Sequence, residues 1–223
     1  MNTRSKTPHR SEEIDTILFD LGHVLVKDGH WRVYQSLGIE YGSRQHELWQ
    51  LHKVGKIGEM EFWRQTLERT SYQGQEEAIA QRVREAYQNA RPEAAYTMVK
   101  PLHSSGYRLA ILSNHAVAWA GQVVKNLGLE LYCNPILISE EIRMAKPEKE
   151  CFEYALERLD RLAVPNRVLF VDDKAENVEA FARLGGKGIV YNGIESLEKG
   201  LKTHGVMRLH PKINGKRAAP SKS

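Results

Sequence analysis

The chain has 223 residues, two of them Cys, a hydrophobic content of 41% and a formal net charge of +4; this composition argues against a disulfide scaffold and against a membrane span, which needs ~18 consecutive apolar residues. Arg4, Lys6 and Arg10 within residues 1–10, and Arg208, Lys212, Lys216, Arg217 and Lys222 within residues 208–223, stand without an acid, so the body between them holds −4. The pI of 9.0 therefore belongs to two basic tails, expected over 1–13 and 208–223, that bury too little apolar surface to order themselves.

Ile14 to Phe19 is an apolar run that ends at Asp20 and is followed by Gly22, which predicts a buried strand emptying into a turn. Asp15 and Asp20 break that run, so no secretory signal is expected. From about residue 30 to 95 apolar and aromatic residues recur at three- and four-residue spacing (Leu48, Leu51; Met60, Trp63, Leu67; Ile79, Val83, Tyr87). This predicts a helical insert over 29–92 between core segments 14–28 and 93–207. Trp31, Trp49, Phe62 and Trp63 read as the insert's own core, and His30, His46 and His52 lack metal-ligand spacing.

Beyond Pro92 a helix through Met98 and Leu102 is expected, then strands over Tyr107–Leu112, Ile136–Ile138, Val168–Val171 and Gly188–Tyr191. Helices fall between them: one opened by Pro147 and carrying Phe152, Ala155, Leu156 and Leu159, and one through Val178, Phe181 and Ala182 that stops at Gly185. The alternation predicts an α/β fold, a Rossmann-like parallel sheet with a small helical cap inserted. Cys133 and Cys151 lack a CxxC or a His partner, so neither zinc nor a disulfide is expected and a reducing cytoplasm is the natural compartment.

Four polar clusters fall at the strand ends where open α/β sheets bind ligands: Asp20, Ser113–Asn114, Lys146 and Asp172–Asp173. Together they suit a phosphorylated ligand with a hard divalent cation. Asp20 and Asp173 offer carboxylates for Mg²⁺, which prefers oxygen. Ser113 offers a hydroxyl and, with Asn114, backbone N–H groups for phosphate oxygens, and Lys146 adds a compact positive charge. The remaining Asp20 oxygen is then a nucleophile.

The segments Phe19-Asp20-Leu21-Gly22-His23-Val24-Leu25, Leu112-Ser113-Asn114, Lys146-Pro147 and Phe170-Val171-Asp172-Asp173-Lys174-Ala175-Glu176-Asn177 resemble the four motifs of the haloacid dehalogenase superfamily, in order and over roughly residues 14–192. Within it the text is most similar to sugar-phosphate phosphatases and the phosphatase domain of soluble epoxide hydrolases. The resemblance implies a two-step phosphoryl transfer through an aspartyl phosphate on Asp20, with Ser113 and Lys146 holding the transferring group. It implies Mg²⁺ on Asp20, Asp173 and the Gly22 carbonyl, with Asp172 a further ligand or an acceptor behind them.

Gly22 departs from the family pattern, since many of its phosphatases carry there a second Asp that protonates the leaving group. General acid–base help is worth ~10²–10⁴-fold, so its loss bears on poor leaving groups unless the substrate leaves easily or His23 stands in. The missing Asp also characterises the metal-free dehalogenases, but two acids beside the nucleophile gain nothing in such a site. A non-catalytic binding module is the other alternative. The basic tails read as solvated ends rather than a nucleic-acid arm, having no interleaved aromatics. The expected partner is a small phosphorylated substrate, with no membrane and an oligomeric state the sequence leaves open.

Overall fold

The structure is a computed structural model and describes residues 13–27, 30–161 and 164–206, without the side chains of His30 and Trp31. The basic tail residues Arg4 to Arg10 and Arg208 to Lys222, and the packing of Trp31, lie outside the described residues.

Five strands form an all-parallel sheet: β1 (Thr16–Phe19), β2 (Arg108–Ser113), β3 (Cys133–Ile138), β4 (Val168–Asp172) and β5 (Lys187–Val190), in the order β3-β2-β1-β4-β5. β1 is central, pairing Phe19 with Ile111 on one side and with Val171 on the other. Alternate residues go to opposite faces. Ile17, Phe19, Ile111 and Val171 join one apolar cluster, and Leu18, Ala110, Leu112 and Phe170 join a second. Both faces are covered, as a parallel sheet requires.

The second cluster is closed by Phe152, Ala155 and Leu156 of α8 (Lys149–Arg158) and Phe181 of α9 (Ala175–Arg183). The first is closed by α5 (Val99–Ser104), α6 (Val117–Asn126) and α10 (Ile194–Thr203), through Val99, Leu102, Trp119, Val123, Leu197 and Leu201. The short α7 (Ser139–Ile142) follows β3 directly.

The expected insert is four helices: α1 (His30–Ser36), α2 (Ser43–His52), α3 (Glu59–Leu67) and α4 (Glu76–Gln88). Its buried side chains Trp63, Leu67, Val83 and Tyr87 belong to the same apolar cluster as the core residues Phe19 and Trp119. Trp49 stacks on Trp119 at 5.7 Å between ring centroids, and Trp119 donates its indole N–H to Glu59 Oε1 at 2.6 Å. The cap is thus seated on α6. No helix among the described residues is long and apolar enough to cross a membrane.

Two differences from the sequence-based elements have physical reasons. β3 runs back to Cys133 through Pro135, because an edge strand has one side free of ladder bonds and tolerates a missing N–H. α10 follows the last strand, its Leu197 and Leu201 one turn apart and fully buried.

Candidate active site

Asp20, Ser113 and the Asp172–Asp173 pair leave three adjacent strands at their carboxyl ends, which is why residues up to 153 positions apart meet. The backbone continues the pairing past β1, with Asp20 N–H donating to Val171 O at 2.8 Å. Carboxylate oxygens of Asp20, Asp172 and Asp173 lie within 4.8 Å of one another.

Lys146 enters this acidic edge from the β3 side. It is 2% exposed, and its ammonium lies 3.0 Å from Asp20 Oδ1 and 2.6 Å from Asp172 Oδ2. The Phe170 ring lies beneath it, with the nitrogen 5.2 Å from the centroid. Asn114 clips the Lys146 main chain from both sides, donating Nδ2–H to its carbonyl at 2.7 Å and accepting from its N–H at 2.9 Å. The Asn114 side chain therefore sets the position of the lysine, whereas the sequence reading gives Asn114 a role through its backbone N–H toward phosphate oxygens.

The acids differ in what they touch. Asp172 is fully buried; Oδ2 takes Lys146, while Oδ1 accepts from Lys174 N–H at 2.8 Å and from Asn177 Nδ2 at 2.9 Å. Asp173 is half-buried, lines the cavity and, among the described residues, has no ion-pair partner within 4.0 Å. Burial and then the Asp172 charge hold its carboxyl above the ordinary range. Burial raises Asp20 further, to about 6, against the attraction of Lys146. Burial alone would lower Lys146, yet the neighbouring charges of Asp20 and Asp172 prevail and raise it.

After Asp20 the chain turns sharply: Leu25 and Val26 N–H groups both donate to Leu21 O, and His23 adopts φ 57°. A left-handed backbone at a non-glycine residue is strained. His23 is exposed and lines the cavity, as does Gly22. A Cβ built on Gly22 meets nothing within 4 Å, so the missing second Asp is not excluded by crowding.

Asp20, Ser113 and Lys146 open into a cavity of about 360 Å³, a size for a small molecule. Its roof is α2, which presents His46, Trp49 and Gln50, with Lys53 just past the helix end. Tyr41 joins them, its hydroxyl 3.5 Å from His46 Nδ1. Sequence reasoning placed His46 and Trp49 in packing or surface roles and passed over Gln50, Lys53 and the core residue His115. The available signal was the i, i+3, i+4, i+7 spacing of His46, Trp49, Gln50 and Lys53, which puts all four on one side of a helix. His52, by contrast, is fully buried and stacks on Phe62 at 4.8 Å.

The donor set fits a hard cation: three carboxylates lie together, the one ammonium among them pairs with only Asp20 and Asp172, and the buried amide oxygen of Asn177 has no hydrogen-bond partner.

Comparison with known proteins agrees with this geometry. Residues 14–185 match the family model of haloacid dehalogenase-like hydrolases. A phosphorylated carbohydrates phosphatase of Thermotoga maritima is 25% identical over 199 residues, 84% of this chain and 88% of that protein. An (S)-2-haloacid dehalogenase of Burkholderia cepacia is 31% identical over 134 residues, 56% of this chain and 56% of that protein, so the chain spans about half that relative's length. A HAD-family enzyme of Bacteroides thetaiotaomicron, crystallised with magnesium and inorganic phosphate, shares the fold with a TM-score of 0.65 at 21% identity, over 81% of this chain and 95% of that one. With its motif-bearing strand ends on one sheet edge and the family model spanning most of its length, the chain belongs to the haloacid dehalogenase-like hydrolases.

Proposed function

We propose that the chain is a Mg²⁺-dependent phosphatase acting on a small phosphorylated metabolite, sugar phosphates foremost, through an aspartyl phosphate on Asp20. The observation that carries this reading is the charge imbalance at the sheet edge: Lys146 serves Asp20 and Asp172, and Asp173 faces the cavity with no cation within 4.0 Å among the described residues. Sugar phosphates come first because the roof offers Gln50, His46 and Tyr41 to hydroxyl groups, and because the Thermotoga relative bears the name of a carbohydrate-phosphate phosphatase.

Asp20, Asp173 and the Gly22 carbonyl would hold the metal, while Asp172, occupied on both oxygens, would anchor Lys146 and the loop. When bound, Mg²⁺ supplies charge neutralisation at the phosphoryl oxygens and brings the anionic nucleophile and substrate together. Asp20 attacks phosphorus with one carboxylate oxygen, the ester P–O bond breaks, and the alkoxide leaves with its electron pair. Ser113 and Lys146 hold the transferring group. Water then attacks the aspartyl phosphate, releasing inorganic phosphate and restoring the Asp20 carboxylate. Positioning and electrostatics carry most of the acceleration in such a transfer.

Hydrolysis of p-nitrophenyl phosphate and of a sugar-phosphate panel, with Mg²⁺ and with chelator, tests the reading; turnover that needs Mg²⁺ is expected, and turnover unchanged by chelator would overturn the metal's role. The dehalogenase alternative rests on the Burkholderia relative and on Lys146 as a built-in counter-ion for Asp20. Chloride release from (S)-2-chloropropionate without phosphatase activity would favour it. Failure of both reactions with ligand binding intact would indicate a non-catalytic module.

Metal binding has a readout apart from activity. At ~10-fold over Kd, Mg²⁺ stabilises the folded state by about 1.4 kcal/mol, a rise of roughly 3–5 °C in Tm for a domain of this size. Asp173→Asn is expected to lose that rise, as seen by differential scanning fluorimetry.

Gly22 gives a gain-of-function prediction. Its Cβ space is open and its φ lies outside the left-handed region, so Gly22→Asp restores a carboxyl beside the leaving group without strain. Turnover of alkyl phosphates should rise ~10²-fold relative to p-nitrophenyl phosphate, the low end of general-acid help. An equal change for both ester types would show that the new carboxyl does not reach the leaving oxygen.

A further inference from the structure

Two lysines line the cavity outside the acidic edge: Lys53, from the cap just past α2, and Lys174, from the loop between β4 and α9. Among the described residues neither ammonium makes an ion pair within 4.0 Å or a side-chain hydrogen bond, whereas Lys146 has two carboxylates. The transferred phosphoryl group already has Lys146 and, in the proposed reaction, Mg²⁺. These two positive charges are surplus to it.

Lys53 is half-buried and held in place by the core. Its carbonyl accepts the Ser139 hydroxyl at 2.5 Å, and Ser139 Oγ accepts from His115 N–H at 2.9 Å. Two residues on, Gly55 has φ +67° and lies so close to α7 that a Cβ would sit 2.9 Å from the Glu140 carbonyl oxygen. The backbone carrying Lys53 is therefore seated on α7. Burial, then repulsion from Lys174, lowers the Lys53 ammonium from its ordinary range despite the more favourable charges of Glu148 and Glu176. A ligand anion between the lysines would relieve that repulsion.

We infer that the substrate carries a second anionic group, a carboxylate or a further phosphate, held between Lys53 of the cap and Lys174 of the core while its phosphoryl group sits at Asp20. This rests on the phosphatase reading. It narrows the substrate class to small phosphorylated acids and bisphosphates, and makes Lys53 a specificity-determining residue.

The test uses two matched pairs: glycerol 3-phosphate against 3-phosphoglycerate, and ribose 5-phosphate against ribose 1,5-bisphosphate. In the wild-type enzyme the member with the extra anion is expected to show at least ~10-fold higher kcat/KM in one pair, a difference of about 1.4 kcal/mol. The pair showing it identifies the second anion as carboxylate or phosphate. Lys53→Met should reduce that ratio to ~3-fold or less while Lys53→Arg keeps it, an arginine retaining the charge. Ratios near one in both pairs, or a ratio untouched by Lys53→Met, would overturn the inference. Failure of the phosphatase reading looks different, since no ester, p-nitrophenyl phosphate included, would turn over. Calorimetric binding of the same pairs to the wild-type protein then decides the inference by itself: ~10-fold tighter binding of the extra-anion member supports it, and equal binding overturns it.

Discussion

Asp20→Asn is expected to lower phosphatase turnover by roughly 10⁴-fold or more, the scale on which removing a nucleophile acts, while melting no lower than the wild type at pH 7.5 in chelator. The first half follows from the proposed covalent step. The second follows from burial, which raises the Asp20 carboxyl from 3.8 to about 6. Between those values the folded protein holds a proton that the unfolded chain has released, so stability falls as pH rises through this window. At neutral pH the ionised Asp20 is a net destabilising group, on the order of 3 kcal/mol for a shift of about two units. Removing its charge should raise Tm at pH 7.5, and the difference should close as pH falls toward 4, where both proteins are neutral at this position. Thermal melts across pH 4–8 check the sign. A wild type that melts above Asp20→Asn at pH 7.5 would mean that Lys146 stabilises Asp20 more than burial penalises it.

Lys146→Met has the largest expected effect on the fold. The lysine is 2% exposed between Asp20 and Asp172, and removing one partner of a buried ion pair costs about 3–5 kcal/mol because the other charge is left uncompensated. For a domain of this size that is a fall of roughly 10 °C in Tm. Asp20 can relieve its share by taking up a proton, since its carboxyl is already raised. Asp172, fully buried, has no exposure to water. Lys146→Met combined with Asp172→Asn should therefore recover at least about half of the lost stability, because the amide keeps an oxygen for Lys174 N–H and Asn177 and leaves no buried charge. Activity should stay absent in both variants, Lys146 being the group proposed to hold the phosphoryl oxygens. Stability left unrecovered in the double variant would point to lost packing against Phe170 rather than lost charge pairing. Lys146's own raised value keeps the lysine's contribution fully present below pH 10.5 and lost as pH rises beyond it, while on the acid side the Asp20 pairing is lost as pH falls through about 6.

Much of the site was legible because its chemistry is local in sequence. Asp20, Ser113 and Asp172 stand at the ends of short apolar runs, and an apolar run bounded by a polar residue reads as a strand with its loop whatever the rest of the chain does. The four-helix insert was legible from its three- and four-residue periodicity. α10 and the first half of β3 were harder, the one carried by two buried leucines and the other interrupted by Pro135. Asn114 belongs to one of the four polar clusters read from the sequence, but nothing along the chain shows that its amide clips the Lys146 main chain 32 residues away.

The sequence by itself determined the chemical inventory: a strand-end carboxylate, an acid pair, a lysine, a hydroxyl, and the absence of a second Asp at Gly22. It also determined the α/β alternation, since hydrophobic period and turn residues are properties of neighbouring positions. Tertiary structure alone decided which acid is tied to Lys146 and which lines the cavity, because Asp172 and Asp173 are adjacent yet one is fully buried against Lys146 and the other faces the cavity. Tertiary structure also decided that the cap contributes Lys53 to the roof, through the seating of its backbone on α7. The physical reason is that charge compensation depends on distance in space and on exclusion of water, and both are set only when the strands align and the cap closes over their ends.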